Sequence, residues 1–236
     1  DNPGHDLYFC NPHPEVEGLY HNLWLQGETS HPNFLVLARE FLTAAGLDES
    51  LTEAMYPSRL FASGQIFVAS PAFWDGYLGF IEHVLQEVDK NLSKTARALL
   101  HSNQADARGI HHGSTYLRFI LERLFSVYLM SESADWSTYK FPVPAAEQRL
   151  NVHLRLLREM KDVALAQTSY WEAACWANYR TLYLMQVHEK EWLQRYLKGI
   201  TPDVLRFGRP VAEITYPFLR TDAPAAKPTG PANDDA

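Results

Sequence analysis

Apolar residues recur at helical spacing over much of this chain. From Glu15 to Gln26, Val16, Leu19, Tyr20, Leu23 and Trp24 fall on one helix face. The run Gly27-Glu28-Thr29-Ser30-His31-Pro32 is read as the break after that helix. A second helix is predicted over Asn33–Ala45, with Asn33 as cap and Gly46 as stop. Two short runs read as strands, Asp6–Cys10 and Ser137–Phe141, each ended by prolines. Ile66, Phe67, Val68 and Ala69 form a continuous apolar run, as in a strand buried on both faces. Ser70-Pro71 then opens a long helix, with Ser70 as cap and Pro71 in the first helical position. Helices are also predicted over Asn91–Leu100 and Ser114–Leu129, with a polar loop between them. No Pro or Gly occurs from Glu147 to Lys198, which predicts one long helix, or two broken near Thr168-Ser169.

This order predicts a helix-rich α/β fold. A small, mostly parallel sheet carries flanking helices, and a long C-terminal helical extension follows. The chain divides as an α/β module over 1–141, a helical extension over 145–199, a packing segment over 200–220 and a disordered tail over 221–236. At about 150 residues per domain, 236 residues make one domain with an attachment.

Composition narrows the function classes. At 46% hydrophobic and 21% charged, the chain can build a core. Asp and Glu outnumber Lys and Arg by 28 to 21, which argues against a nucleic-acid backbone binder. No apolar run approaches the ~20 residues of a membrane span. The opening Asp1-Asn2-Pro3-Gly4 reads as the interior of a longer protein or as a trimmed start, without a signal segment. Cys10 and Cys175 stand far apart with no CxxC, compatible with thiols in a reducing cytoplasm.

The histidines and carboxylates are the first candidates for chemistry. Glu28-Thr29-Ser30-His31 has the Glu-x-x-His spacing of di-iron bundles, but Pro32 follows and no second copy occurs, so a loop pair bonded to backbone is the favoured reading. His111-His112 are neighbours in a loop with no Cys or carboxylate cluster nearby. HExxH, GxSxG, the P-loop and GxGxxG are all absent. Glu122-Arg123 sits inside an apolar helix. It reads either as the polar side of that helix, with Arg118 four residues before Glu122 as its ion-pair partner, or as a carboxylate at a cleft.

One succession of residues carries a resemblance. F-x-S-G-Q-I-F-V-A-S-P-A-F-W-x-x-Y-L-x-F-I-E over 61–82, a polar loop, then F-I-L-E-R-L-F-S-V-Y-L over 119–129, resembles the C-terminal half of bacterial GT-A-like glycosyltransferases. Those enzymes build capsule, lipopolysaccharide or other cell-surface glycans. The opening D-L-Y-F-C-N-P-x-P-E-V-E-x-L-Y-x-N-L-W-x-Q-G-E-x-x-H-P looks like the first module of proteins with the same block, so the likeness covers residues 5–141.

The resemblance implies transfer of a sugar from a nucleotide-sugar donor to a glycan acceptor. Ser63 and Gly64 would lie beside the donor. Glu122 would face the acceptor as general base or hydroxyl ligand. Arg123 would contact a phosphate or carboxylate, and Arg108, His111 and His112 would flank the donor phosphates. Trp74 and Tyr77 are expected in the core. No Asp-x-Asp pair is present, so a divalent metal is not expected. A rival class is a non-catalytic assembly module. Its helices over 147–197 would dock on a second copy or a partner chain through Trp171, Trp176, Arg180, Trp192 and Arg195. A weaker third reading is an all-helical, oxygenase-like domain with His and Glu as metal ligands.

Overall fold

In the computed structural model, residues 4–103, 113–131 and 136–187 are described. Strand β1 (Leu7–Cys10) lies at the centre of a three-stranded sheet of order β2-β1-β3. β2 (Ile66–Ala69) pairs antiparallel with it, Leu7 opposite Ala69 and Cys10 opposite Ile66. β3 (Thr138–Phe141) pairs parallel, Leu7 opposite Thr138 and Cys10 opposite Phe141. The sheet is therefore mixed rather than mostly parallel. The apolar run of β2 is also not buried on both faces: Val68 is 72% exposed, while Phe67 and Ala69 turn inward. An edge strand in a sheet covered on one face buries alternate residues only, and an unbroken apolar run carries no mark of that position.

Leu7 and Phe9 point into a cluster formed with Leu60, Phe73, Tyr77, Phe125, Tyr128 and Leu129. Most of these come from α4 (Pro71–Asn91) and α6 (Tyr116–Ser131). The Phe125 ring stacks on Phe67 at 4.6 Å and meets Phe9 edge-on at 5.9 Å, which ties α6 to the sheet. Ser70 caps α4 through its hydroxyl, which accepts from Phe73 N–H, with Pro71 in the first turn as expected.

The single helix expected over Glu15–Gln26 is two, α1 (Glu15–Leu19) and α2 (Leu23–Ser30). Asn22 makes the break. Its side-chain oxygen accepts from Leu25 N–H at 2.8 Å, and its amide donates to the carbonyls of Thr52 and Ala54. Three bonds from one buried amide outweigh helix continuity. α2 also runs on through Gly27. A Cβ there would stand 2.6 Å from the Phe34 ring, so this glycine permits close approach instead of ending a helix. In α3 (Phe34–Ala44), Asn33 makes no side-chain cap bond; the Glu28 carboxylate accepts from Leu35 N–H at 2.6 Å.

α5 (Lys94–Leu100) and α7 (Pro144–Arg149) are short. α8 (Val152–Gln167) and α9 (Tyr170–Val187) are separated at Thr168-Ser169, where Thr168 takes the left-handed conformation. The start of α8 meets the far end of α9, through Asn151 to Tyr183 and His153 to Tyr179, so the two helices run antiparallel. The described part of the expected extension packs into the main core. Leu157, Ala164, Ala173 and Trp176 share one core with Trp24, Phe34, Phe41, Ile120 and Leu124. Three of their side chains close α1: Trp176 Nε1 donates to Gly18 O, Arg180 Nε to Leu19 O and Lys161 Nζ to Tyr20 O. A helix end leaves its last carbonyls unpaired, and here an indole, a guanidinium and an amine complete them. Residues 188–236, with the expected packing segment, tail, Trp192 and Arg195, lie outside the described residues.

Candidate functional site

The residues before β2 make a tight corner. Gln65 N–H returns to Ala62 O at 3.4 Å. Gly64 has φ +86 and Gln65 has φ +48. Glycine takes this region freely; a glutamine there is strained by an amount of order 1–2 kcal/mol. The strain is held by the Gln65 side chain, whose Nε2 donates to Tyr77 Oη at 3.0 Å and to Leu121 O at 3.1 Å. Tyr77 is buried and its phenol is pushed up to about 12 by that burial. It remains a neutral hydroxyl that holds the corner to α4, while Leu121 holds it to α6.

Glu122 follows Leu121 on α6. Gly64 N–H donates to Glu122 Oε1 at 2.9 Å, across 58 residues of sequence. Ser63 is half-buried in the same turn, and Gly64 is exposed. The second oxygen of Glu122 has no partner among the described residues. Arg118 does not pair with it; that guanidinium donates to Ser114 Oγ at 3.3 Å. A carboxylate anchored through one oxygen and open at the other can accept a proton or a hydrogen bond from a hydroxyl. Strained backbone kept in place by neighbouring bonds is a feature of working sites.

Ser63, Gly64 and Glu122 are thus brought together. Arg123 is not with them, and its expected contact with a ligand phosphate or carboxylate is corrected. Its side chain is buried on the other side of α6. Nε donates to Leu23 O at 2.6 Å, Nη1 to Phe119 O at 2.7 Å and Nη2 to Gln26 Oε1 at 2.8 Å, and the guanidinium lies 4.7 Å over the Phe34 ring. Burial lowers its pKa to about 10, against the raising effect of the Glu122 charge. It is a structural tie between α6 and α2. Arg108, His111 and His112 lie outside the described residues.

The other candidates resolve as follows. Glu28 caps α3, and burial raises its pKa, while bonds from Leu35, Asn33 and Phe34 N–H groups hold it down. His31 is buried and stacks on Phe119 at 3.9 Å. Glu28 bonds to backbone as expected, but it stands in the last turns of α2 rather than in a loop, and His31 follows at the end of that helix. Among the described residues no group of three or more His, Cys, Asp or Glu side chains is placed to hold a metal ion. Tyr77 is core, as expected, whereas Trp74 lies partly exposed on α4, stacked on Phe67 at 4.7 Å. The residue that sequence reading missed is Gln65. Its only signal was a polar residue placed between Ser-Gly and an apolar strand.

Comparison with protein-family models, with curated proteins and with solved structures finds no match to this chain.

Proposed function

We propose that this chain is a glycosyltransferase-like module that acts on a nucleotide-sugar donor and a glycan acceptor in cell-surface glycan synthesis. The observation that supports this best is the bond from Gly64 N–H to Glu122 Oε1. The resemblance puts Gly64 on the donor side and Glu122 on the acceptor side, and the two are in contact at the end of the sheet. In this reading Glu122 takes the proton of the acceptor hydroxyl or fixes that hydroxyl for attack. Ser63 and Gly64 lie along the donor, and the resemblance assigns its phosphates to Arg108 and His111, which lie outside the described residues. Arg123 supports α6 from behind. The proposal keeps the cytoplasmic setting read from the sequence. No helix among the described residues is long and apolar enough to cross a membrane.

The test is a thermal-shift screen of the full chain against nucleotide sugars and free nucleotides. One nucleotide sugar should raise the midpoint of the wild-type protein. Glu122→Gln keeps an oxygen for Gly64 N–H and should retain the shift, but should lose the base and any transfer to an acceptor. Glu122→Ala should lose both. A flat response to every nucleotide sugar contradicts the proposal.

The assembly reading keeps one observation in its favour, since Trp171 on α9 is 78% exposed. Trp176 and Arg180 are already used inside the chain's own core. A Trp171→Ala variant with unchanged sedimentation would remove that support.

A further inference from the structure

β2 is an edge of the sheet, and no strand pairs with its outer side among the described residues. One bond fixes where its backbone groups point. Ser70 N–H donates to Asp6 O at 2.7 Å, which continues the antiparallel register of Leu7 opposite Ala69. Hydrogen-bonded positions alternate along an antiparallel pair. Ile66, Val68 and Ser70 therefore turn their N–H and C=O groups to β1, and Phe67 and Ala69 turn theirs to the open side. Those groups of Phe67 and Ala69 bond to nothing among the described residues. Native sheets blunt such an edge with Lys, Pro, a bulge or a covering element. Ile66-Phe67-Val68-Ala69 has neither Lys nor Pro, and its register on β1 runs without a bulge.

The apolar surface at this edge continues from sheet to helix. Ile66 and Val68 stand on the outer face, 52% and 72% exposed. On the inner face the Phe67 ring stacks on Phe125 at 4.6 Å and on Trp74 at 4.7 Å. Phe125 also meets Phe9 of β1, so Trp74 takes the side of Phe67 toward the open edge. Trp74 is 37% exposed, and Leu78, one turn along α4, is 49% exposed. Beside Leu78, a Cβ on Gly79 would meet nothing within 4 Å. Glycine weakens a helix interior, and here it leaves the outer side of α4 bare for close approach of another backbone.

Ile66, Val68, Trp74 and Leu78 leave on the order of 400 Å² of apolar surface open. A stable dimer buries about 800 Å² on each partner, a little over half of it apolar. This edge supplies that apolar share. We infer that β2 pairs with β2 of a second copy about a two-fold axis normal to the sheet, joining the two sheets into one. A second copy suits this strand because its four residues are uncharged, so its own antiparallel image sets no like charges opposite. A two-fold dimer also closes, covering the same patch on both chains.

The register follows from the free groups. Centred on Val68, Phe67 N–H donates to the partner's Ala69 O, Phe67 O accepts from the partner's Ala69 N–H, and symmetry repeats both. Centring on Phe67 would call on Gln65, whose φ of +48 takes it out of the strand. Val68 then faces the partner's Val68 with about 4.5 Å between Cα atoms, and Trp74 and Leu78 meet their copies beneath the sheet. The pairing needs neither a nucleotide sugar nor Glu122, so it stands or falls apart from the proposed function.

The test is the oligomeric state of the full chain, by sedimentation velocity with hydrogen exchange. The wild-type chain should sediment as a dimer, with slow exchange at the Phe67 and Ala69 amides. Val68→Lys and Val68→Glu each set like charges at the axis. Each should sediment as a monomer, with an unchanged far-UV spectrum and faster exchange at both amides. Because Val68 faces its own copy, an equimolar mixture of the two variants should restore the dimer. The inference is overturned if both variants dimerise as wild type does, or if their mixture stays monomeric. A monomeric wild-type chain overturns it as well: slow exchange at Phe67 and Ala69 would then assign the edge to a segment of the same chain, and fast exchange would leave it to a different partner.

Discussion

Glu122 and Arg123 are neighbours with opposite roles. Successive residues on an α-helix point about 100° apart, so a helix with one face on the core cannot present both to a cleft. The sequence made their adjacency plain, and the helical period should have separated them. What it could not give was the set of acceptors around Arg123, since Leu23 and Gln26 come from a helix about 100 residues earlier. Lys161 is the other buried cation whose surroundings are decisive. Its amine donates to Tyr20 O at 3.0 Å and lies 4.0 Å over the Phe61 ring. Burial lowers its pKa to about 7, against the raising charges of Asp162 and Glu17.

That lowered pKa has a consequence for stability. Between pH 7 and the ordinary lysine value of about 10.4, the unfolded chain holds a proton at Lys161 that the folded chain has released. Stability therefore rises with pH across that interval and is lost as pH falls through the folded value. His21, pushed down by burial and by the charges of Arg180 and Lys161, titrates below this range. Urea denaturation from pH 7 to 9, below the tyrosine range, should show the rise. Lys161→Met should remove most of the slope and leave a remainder from Lys140, whose pKa burial also lowers. An unchanged slope in Lys161→Met would refute this account of the buried amine.

At the scale of elements, α1 is the most dependent. It has five residues, too few to be stable alone. It is fixed by the α8–α9 pair, which supplies partners for its last carbonyls. The contact is close: a Cβ on Gly18 would stand 2.9 Å from Leu154 O and 3.0 Å from Arg158 N, both backbone atoms that cannot turn away. Gly18→Ala should cost about 1–3 kcal/mol, the usual range for overpacking, measured by urea denaturation at constant m-value. A neutral Gly18→Ala would mean that α8 and α9 do not pack on α1 as described. The long elements were legible because their periodicity and caps agree, as with Ser70-Pro71 ahead of α4 and the break at Thr168-Ser169. The division of α1 from α2 was not, because Asn22 breaks the helix through carbonyls of Thr52 and Ala54, which no local pattern announces.

Across the whole molecule, the sequence divided what the fold joins. The glycine-free, proline-free stretch after Glu147 reads as an attachment because its helices are regular and the carbonyls of α1 that they close lie 141 to 161 residues away. In the structure Trp176 and Lys161 belong to the same body as the sheet and α6. The corner of Ser63, Gly64 and Glu122 was legible as a set through the resemblance alone. Spacing gave no reason to bring residue 64 to residue 122; the strained Gln65 does.

The central claim is that this corner receives a nucleotide-sugar substrate, and Gly64 N–H reports on it directly. The measurement is a titration of the ¹⁵N-labelled full chain with nucleotide sugars, followed through the Gly64 and Gln65 amide resonances. The account predicts a saturable shift of both with one nucleotide sugar, absent in Glu122→Ala, while the Gly18 and Thr168 resonances stay in place. A set of nucleotide sugars that leaves Gly64 and Gln65 unmoved would contradict it.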